Sequence, residues 1–304
     1  MLKKQKLLIT GGSGLLAINW ACLARKDFIV VLGLHNRIIS IDGVETAKIS
    51  IESTKHLYSD LIRINPDIVI NTAAFTSVEG CEKNFKKAKE VNTDAASNIA
   101  IVCENLNIKL VHISSDHIFS GENQFSNECS ITEPLNNYAL TKYQAEVEVK
   151  NNNPTSLIIR TNFFGWGTNY RYSFSDFIIN NLKNNLKINL FSDIFYTPII
   201  IDELVLCINE LLEKNSVGIF NIVGNERLSK YDFGLKVADH FGLNPSLINL
   251  TTCNEDINQV LRPRDMSLSN LKLIEILGRK IPNLNNQLIT LKNQEKYREL
   301  CFRK

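Results

Sequence analysis

The chain has 304 residues, 44% hydrophobic and 22% charged, proportions that exclude a disordered or fibrous protein and leave room for a large core with a smaller lobe. With 34 basic and 32 acidic side chains, the formal net charge of +2 gives no electrostatic footprint for nucleic acid, and no long basic run supplies one locally. Seven cysteines, at 22, 81, 103, 129, 207, 253 and 301, form an odd, scattered set without a CxxC pair. That pattern argues against a disulfide framework or a zinc site and fits reduced thiols in a cytoplasm; no metal is expected.

The first element raises a choice. A basic start runs into an apolar segment, as in a secretion signal or at the opening of a nucleotide-binding domain. Gly11, Gly12 and Gly14 interrupt the apolar run, and Asn19 and Trp20 stand where a cleavage site needs small residues, which disfavours the signal. The other reading makes Lys6 to Thr10 a strand, Gly11 to Gly14 a sharp turn and Leu15 to Ala24 a helix. Gly11 then permits the tight turn, Gly14 lets backbone approach a pyrophosphate, and Ala17 keeps helix and strand close. The amides of Ser13, Leu15 and Leu16 at the helix start face the phosphates. As a lone pattern GxxGxxA is weak.

Further along, FIVVLG (28–33), DIVIN (67–71), KLVHIS (109–114) and SLIIR (156–160) read as near-continuous apolar strands, buried on both faces of a parallel sheet. Helix candidates lie between them at 14–25, 54–65, 82–106 and 134–151. This is the rhythm of an α/β fold with a doubly wound parallel sheet, the Rossmann fold, carrying a smaller C-terminal substrate-binding lobe. After Arg160 comes Asn-rich, aromatic-rich sequence to about Pro198, then a helix candidate from Asp202 to Lys214, a short apolar run at 218–224 and a helix at 229–241. Residues 1–160 are expected to form the dinucleotide-binding domain, with segments such as 196–225 returning to it. Residues 161–304 are expected to be mainly an interleaved substrate lobe. The apolar runs at 199–201 and 204–206 are cut by Asp202 and Glu203, so no membrane span is expected.

Ligands of open parallel sheets bind beyond the carboxyl ends of the strands. Three strand ends therefore should face one crevice: Thr10 with the glycine turn, Asn71 with Thr72, Ala73, Ala74, Phe75 and Thr76, and Ile113 with Ser114, Ser115, Asp116 and His117. Twenty-three residues after Ser115, Tyr138 and Lys142 stand four apart, on one face of a helix for which Pro134 suits the start. A lysine ammonium near a phenol favours tyrosinate and lowers the phenol's pKa, so the pair can exchange a proton, with Ser115 bonding the same substrate oxygen. YxxxK alone recurs in many helices, and Ser-Ser after a strand is ordinary turn chemistry. Their joint occurrence, in order behind a glycine-turn βαβ, is the specific signal. After the strand at 28–33, LGLHNR offers no carboxylate for the adenosine ribose of NAD. Asn36 and Arg37 follow it, and Arg37 suits the 2′-phosphate of NADP; NADP(H) is favoured and NAD(H) remains possible.

These segments resemble the extended short-chain dehydrogenase/reductase family, and within it the dTDP-4-dehydrorhamnose reductase branch. The resemblance rests on TGGSGLLA, NTAAFTSVEGCE, SSDHIFSG, YALTK, RTNFFGWG, SDIFYTP and LRPRDMSLSNLKL, and covers about Lys6 to Gly278. It implies reduction of the 4-keto group of a nucleotide-linked 6-deoxysugar by a nicotinamide cofactor. Tyr138 would protonate the carbonyl oxygen, Lys142 hold the nicotinamide ribose, and Ser115 orient the carbonyl. Val78, Asp116, Phe163 and Arg262 would line the sugar-nucleotide pocket. The branch commonly has Thr-Asp-Tyr at Ser115-Asp116-His117 and Trp at Phe163, departures that leave the chemistry and put the sugar's identity in doubt; His117 reads as a packed or solvated loop residue. The competing expectations are an epimerase or 4,6-dehydratase of the same fold, the latter disfavoured because His117 follows Asp116 where a dehydratase has a glutamate, and a non-catalytic NADP-binding regulatory subunit. Some relatives dimerise, so a homodimer is possible.

Overall fold

The structure, a computed structural model, describes residues 4–253 and 260–297. The expected parallel sheet forms its centre. Strands β1 (Lys6–Thr10), β2 (Ile29–Leu34), β3 (Glu45–Lys48), β4 (Ile68–Asn71), β5 (Lys109–Ile113) and β6 (Leu157–Arg160), with the later strand Gly218–Asn221, make seven strands. Their order runs from Gly218–Asn221 through β6, β5, β4, β1 and β2 to β3, all parallel. Alternate side chains of β1, β4 and β5 enter two apolar clusters on opposite faces, one holding Leu7, Ile9 and Val111 and the other Leu8, Val69 and Leu110. That double burial explains the unbroken apolar runs. Strand β3 escapes the sequence reading because ETAK lies at the sheet edge with mostly exposed side chains, leaving no apolar pattern.

Helices α1 (Leu15–Ala24) and α2 (Thr54–Ile64) form as expected. The single helix expected over 82–106 is instead three, α3 (Val78–Lys83), α4 (Phe85–Lys89) and α5 (Ala95–Asn105), with a π-helical turn at Glu90–Asp94. Asn84 leaves helical geometry at φ −144° and its side chain accepts from Lys87 N, the competition with helix backbone that asparagine side chains offer. Helix α6 (Asn137–Asn152) starts under Asn136, whose side chain accepts from Ala139 N at 2.9 Å; Pro134, expected at the start, stands two residues before that cap.

The second lobe packs α7 (Phe174–Lys183), α9 (Lys230–Phe241) and α11 (Leu284–Gln294) around Phe164, Trp166, Tyr196 and Phe233. Helix α8 (Ile201–Glu213) instead buries Ile201, Leu204 and Ile208 with α1 in the sheet's own core, and the chain next enters the strand Gly218–Asn221 beside β6. Helix α10 (Leu271–Leu277) joins the same cluster through Leu273. Among the described residues no helix is long and apolar enough to cross a membrane, and no group of three or more His, Cys, Asp or Glu is placed to hold a metal ion.

Candidate active site

The site begins at the β1–α1 turn. Gly11 adopts φ +62°, and a Cβ there would lie 2.8 Å from Ala73 Cα, so the residue answers both a left-handed conformation and a close backbone approach. At Gly14 a Cβ would meet one nearby atom, Gly11 O at 3.0 Å. Gly14 is the N-cap of α1, and no side chain caps that helix. α2, α6, α7, α9 and α11 receive an Asn or Ser cap, whereas α8 and α10 share with α1 the lack of a side-chain cap. An uncapped helix start presents free amides and a partial positive charge, an arrangement that fits a dinucleotide pyrophosphate.

From this turn a groove of about 610 Å³ crosses the strand ends to Tyr138. Level register places Thr10, Asn71 and His112 side by side, joined as a ladder. Thr10 Oγ1 donates to Asn71 Oδ1 at 2.7 Å, Ala73 N donates to the same oxygen at 3.2 Å, and Asn71 Nδ2 lies 3.0 Å from His112 Nδ1. With Oδ1 occupied as acceptor, the Asn71 amide donates to Nδ1, which assigns the His112 proton to Nε2. Burial and the Lys142 ammonium hold His112 well below its usual pKa.

Ser115, Tyr138 and Lys142 all line the groove. The Ser115 hydroxyl donates to Asp116 Oδ1 at 3.3 Å. Burial pushes the Tyr138 phenol up to about 12, against the lowering influence of the Ser115 hydroxyl and with Asp116 adding to the rise. This corrects the expectation of a depressed phenol. The Lys142 ammonium is buried and donates to Ile113 O at 2.6 Å, and its own pKa falls to about 8 because burial prevails over the pull of Glu146. Glu146 accepts from Ser114 Oγ at 2.5 Å and forms a buried pair with Arg160, whose Nη2 lies at 2.8 Å. The π-helical turn contributes Asn92, which accepts from Phe75 N at 2.7 Å and donates to Thr141 Oγ1 at 3.0 Å, tying the strand-end segment to α6.

Beyond Tyr138, His117 stands edge-on to the phenol at 5.6 Å between ring centroids. Asp116 accepts from Asn162 Nδ2 at 2.5 Å, and the Lys230 ammonium sits 3.2 Å above the Tyr196 ring, its pKa lowered to about 8 by burial against the pull of Asp116.

Of the residues singled out from sequence, Gly11, Ser13, Gly14, Leu15, Leu16, Asn36, Ala73, Ala74, Ser115, Asp116, Tyr138, Lys142 and Phe163 line the groove. Four do not. Arg37 stacks on Tyr170, and Phe75 lies under the Lys87 ammonium with its amide held by Asn92. Val78 is buried in α3, and Arg262 pairs with Glu79. Residues passed over in sequence also line the groove, among them Glu52, Lys87, Asn162 and Arg171. Glu52 follows the unrecognised β3, and its carboxylate is engaged by His35 at 3.1 Å. Arg171 falls in the irregular aromatic stretch, where periodicity carries no signal.

Comparison with known proteins places this geometry in a family. The chain is 29% identical over 287 residues to a probable low-salt glycan biosynthesis reductase, Agl14, of Haloferax volcanii, covering 93% of this chain and 96% of the relative. A crystal structure of a hypothetical dTDP-4-dehydrorhamnose reductase from Sulfolobus tokodaii superposes with a TM-score of 0.80 at 30% identity, over 92% of this chain and 98% of the other. A dTDP-4-dehydrorhamnose reductase of Bacillus anthracis, crystallised with NADP, gives 0.84 at 22% identity, over 96% of this chain and all of the other, a likeness of fold. The family model described as the RmlD substrate binding domain matches residues 5–296, and the chain belongs to that family.

Proposed function

We propose that this protein reduces the 4-keto group of a nucleotide-linked 6-deoxysugar with NADPH, in the synthesis of a glycan precursor. The observation that carries the reading is the convergence of Ser115, Tyr138 and Lys142 at one end of a groove whose other end is the uncapped turn at Gly11 to Gly14. The relatives named as reductases support it, as does the NADP-bound neighbour.

A bound nicotinamide would supply hydride. Gly11, Gly14 and the first turn of α1 would hold its pyrophosphate, with Ala73 and Ala74 lining the same groove. Tyr138, held near pKa 12, stays a neutral phenol throughout the neutral range, the form a reduction consumes. Ser115 donates to the carbonyl oxygen and Tyr138 delivers its proton there as negative charge develops. Lys142, with a pKa near 8, is mostly cationic at neutral pH and stabilises the tyrosinate left behind. Asp116, Asn162 and Phe163 line the sugar side. His117 follows Asp116 where a dehydratase places a carboxylate, so elimination lacks its base.

The test mixes purified protein with NADPH and 4-keto-6-deoxy sugars carried on different nucleoside diphosphates, and follows absorbance of the reduced cofactor. Stoichiometric oxidation of NADPH with one of them is expected. A protein that binds NADPH and turns over none of them refutes the reading. Nicotinamide that survives purification and is regenerated with no net oxidation points to an epimerase.

A further inference from the structure

The second lobe reaches over the dinucleotide groove by a short hairpin. Thr168 and Arg171 exchange backbone hydrogen bonds at 2.9 and 3.2 Å, leaving Asn169 and Tyr170 at the tip. The base of the hairpin is fixed on both sides of the molecule. Trp166 O accepts from Asn19 of α1 at 2.8 Å, and Trp166 Nε1 donates to Leu291 O of α11 at 2.8 Å. At the tip, Tyr170 Oη donates to Ser13 O in the glycine turn at 3.1 Å, and Arg171 donates to Thr76 Oγ1 at 2.6 Å. Consecutive residues thus tie the hairpin to both walls of the groove.

Tyr170 makes a further contact. The guanidinium carbon of Arg37 lies 3.9 Å from its ring centroid. Arg37 follows Asn36, which lines the groove at the end of β2, and no carboxylate among the described residues lies within ion-pair distance of it. The acid nearest in role, Glu52, is paired with His35. A guanidinium stacked on an aromatic face keeps its N–H edge free, and the stack restricts the rotamers that an exposed arginine otherwise samples. A planar, oriented donor edge suits a phosphate monoester.

We propose that Tyr170 is a positioning residue for cofactor selectivity: it holds Arg37 ready for the 2′-phosphate of NADPH, so the choice of cofactor depends on a hairpin belonging to the sugar-binding lobe. The proposal rests on the NADPH reading above. The Tyr170 hydroxyl fixes the tip to Ser13 and the ring fixes Arg37, so the two contributions separate by substitution.

The experiment titrates the full-length protein with NADPH and with NADH, following cofactor fluorescence and needing no sugar substrate. The wild type is expected to prefer NADPH by about tenfold or more, the scale of a charge-assisted phosphate contact. Tyr170→Leu should weaken NADPH by about three- to fivefold, the scale of an exposed cation–π contact, and leave NADH nearly unchanged. Tyr170→Phe keeps the ring and should keep the selectivity ratio. In an Arg37→Ala background Tyr170→Leu should no longer change that ratio. Equal weakening of both cofactors by Tyr170→Leu would show the hairpin acting only as a cover and overturn the proposal, as would an unchanged ratio. A wild type without preference for NADPH would overturn the cofactor reading itself and the proposal with it.

Discussion

Replacing Glu146 with glutamine perturbs both the fold and the chemistry at Lys142. Arg160 Nε lies 3.0 and 3.2 Å from the two carboxylate oxygens and Nη2 lies 2.8 Å from Oε2, while both side chains are 3% exposed. Glutamine keeps one acceptor oxygen and the volume, but leaves a buried guanidinium without its counter-charge. Breaking one side of such a pair costs about 3–5 kcal/mol, a large share of the roughly 5–15 kcal/mol that holds a typical domain folded. Urea denaturation of wild type and Glu146→Gln measures this directly. Glu146→Leu with Arg160→Met removes both charges and should recover most of the loss. A second readout follows from the sign of the Lys142 shift. Glu146 pulls that amine's pKa up against burial, so its loss lowers the pKa further and moves the alkaline fall of kcat to lower pH. A cost below about 1 kcal/mol would refute the assignment of this pair as an uncompensated burial problem, and an unmoved alkaline limb would refute the coupling to Lys142.

Two other perturbations test separate parts of the account. Gly11→Ala sets a Cβ at 2.8 Å from Ala73 Cα in a backbone at φ +62°, so a cost of about 1–3 kcal/mol is expected together with weaker NADPH binding; unchanged stability and affinity in denaturation and fluorescence titrations would contradict the close approach. His112 and His117 are both held below the ordinary value of 6.5 by burial. As pH falls below that value the unfolded chain takes up protons that the folded chain refuses. Their contribution is therefore fully present above it and is lost on acidification, at up to about 1.4 kcal/mol per pH unit for each histidine. Denaturation at pH 7 and pH 5 should show this loss, and His112→Gln should reduce the slope; a flat profile would refute it.

Sequence revealed the sheet's interior because strands covered on both faces must be apolar throughout, as in LLI of β1 and IVI of β4. It did not reveal β3, whose edge position asks little of ETAK, nor the break at Asn84, where one side chain outbids a helix that the surrounding pattern favours. The groove's ends were legible for the same reason that the fold was: strand ends in a parallel sheet align, so Thr10, Asn71 and Ser115 had to converge. Direction of charge effects was not legible. The spacing of Tyr138 and Lys142 gave their common face, but burial, which sets the phenol near 12, depends on how α3, α6 and the second lobe close over them. Tyr170 and Arg171 were likewise hidden, because a hairpin tip has no periodicity and its partners Ser13 and Thr76 are about a hundred or more residues away.

The central claim is that Tyr138 gives its proton to a keto oxygen. The rate of NADPH oxidation by Tyr138→Phe, measured against wild type on a 4-keto-6-deoxy nucleotide sugar and paired with a cofactor titration, tests it most directly. The account predicts a kcat lower by about 10²–10⁴-fold with NADPH affinity essentially unchanged; a phenylalanine variant that turns over at nearly the wild-type rate contradicts it.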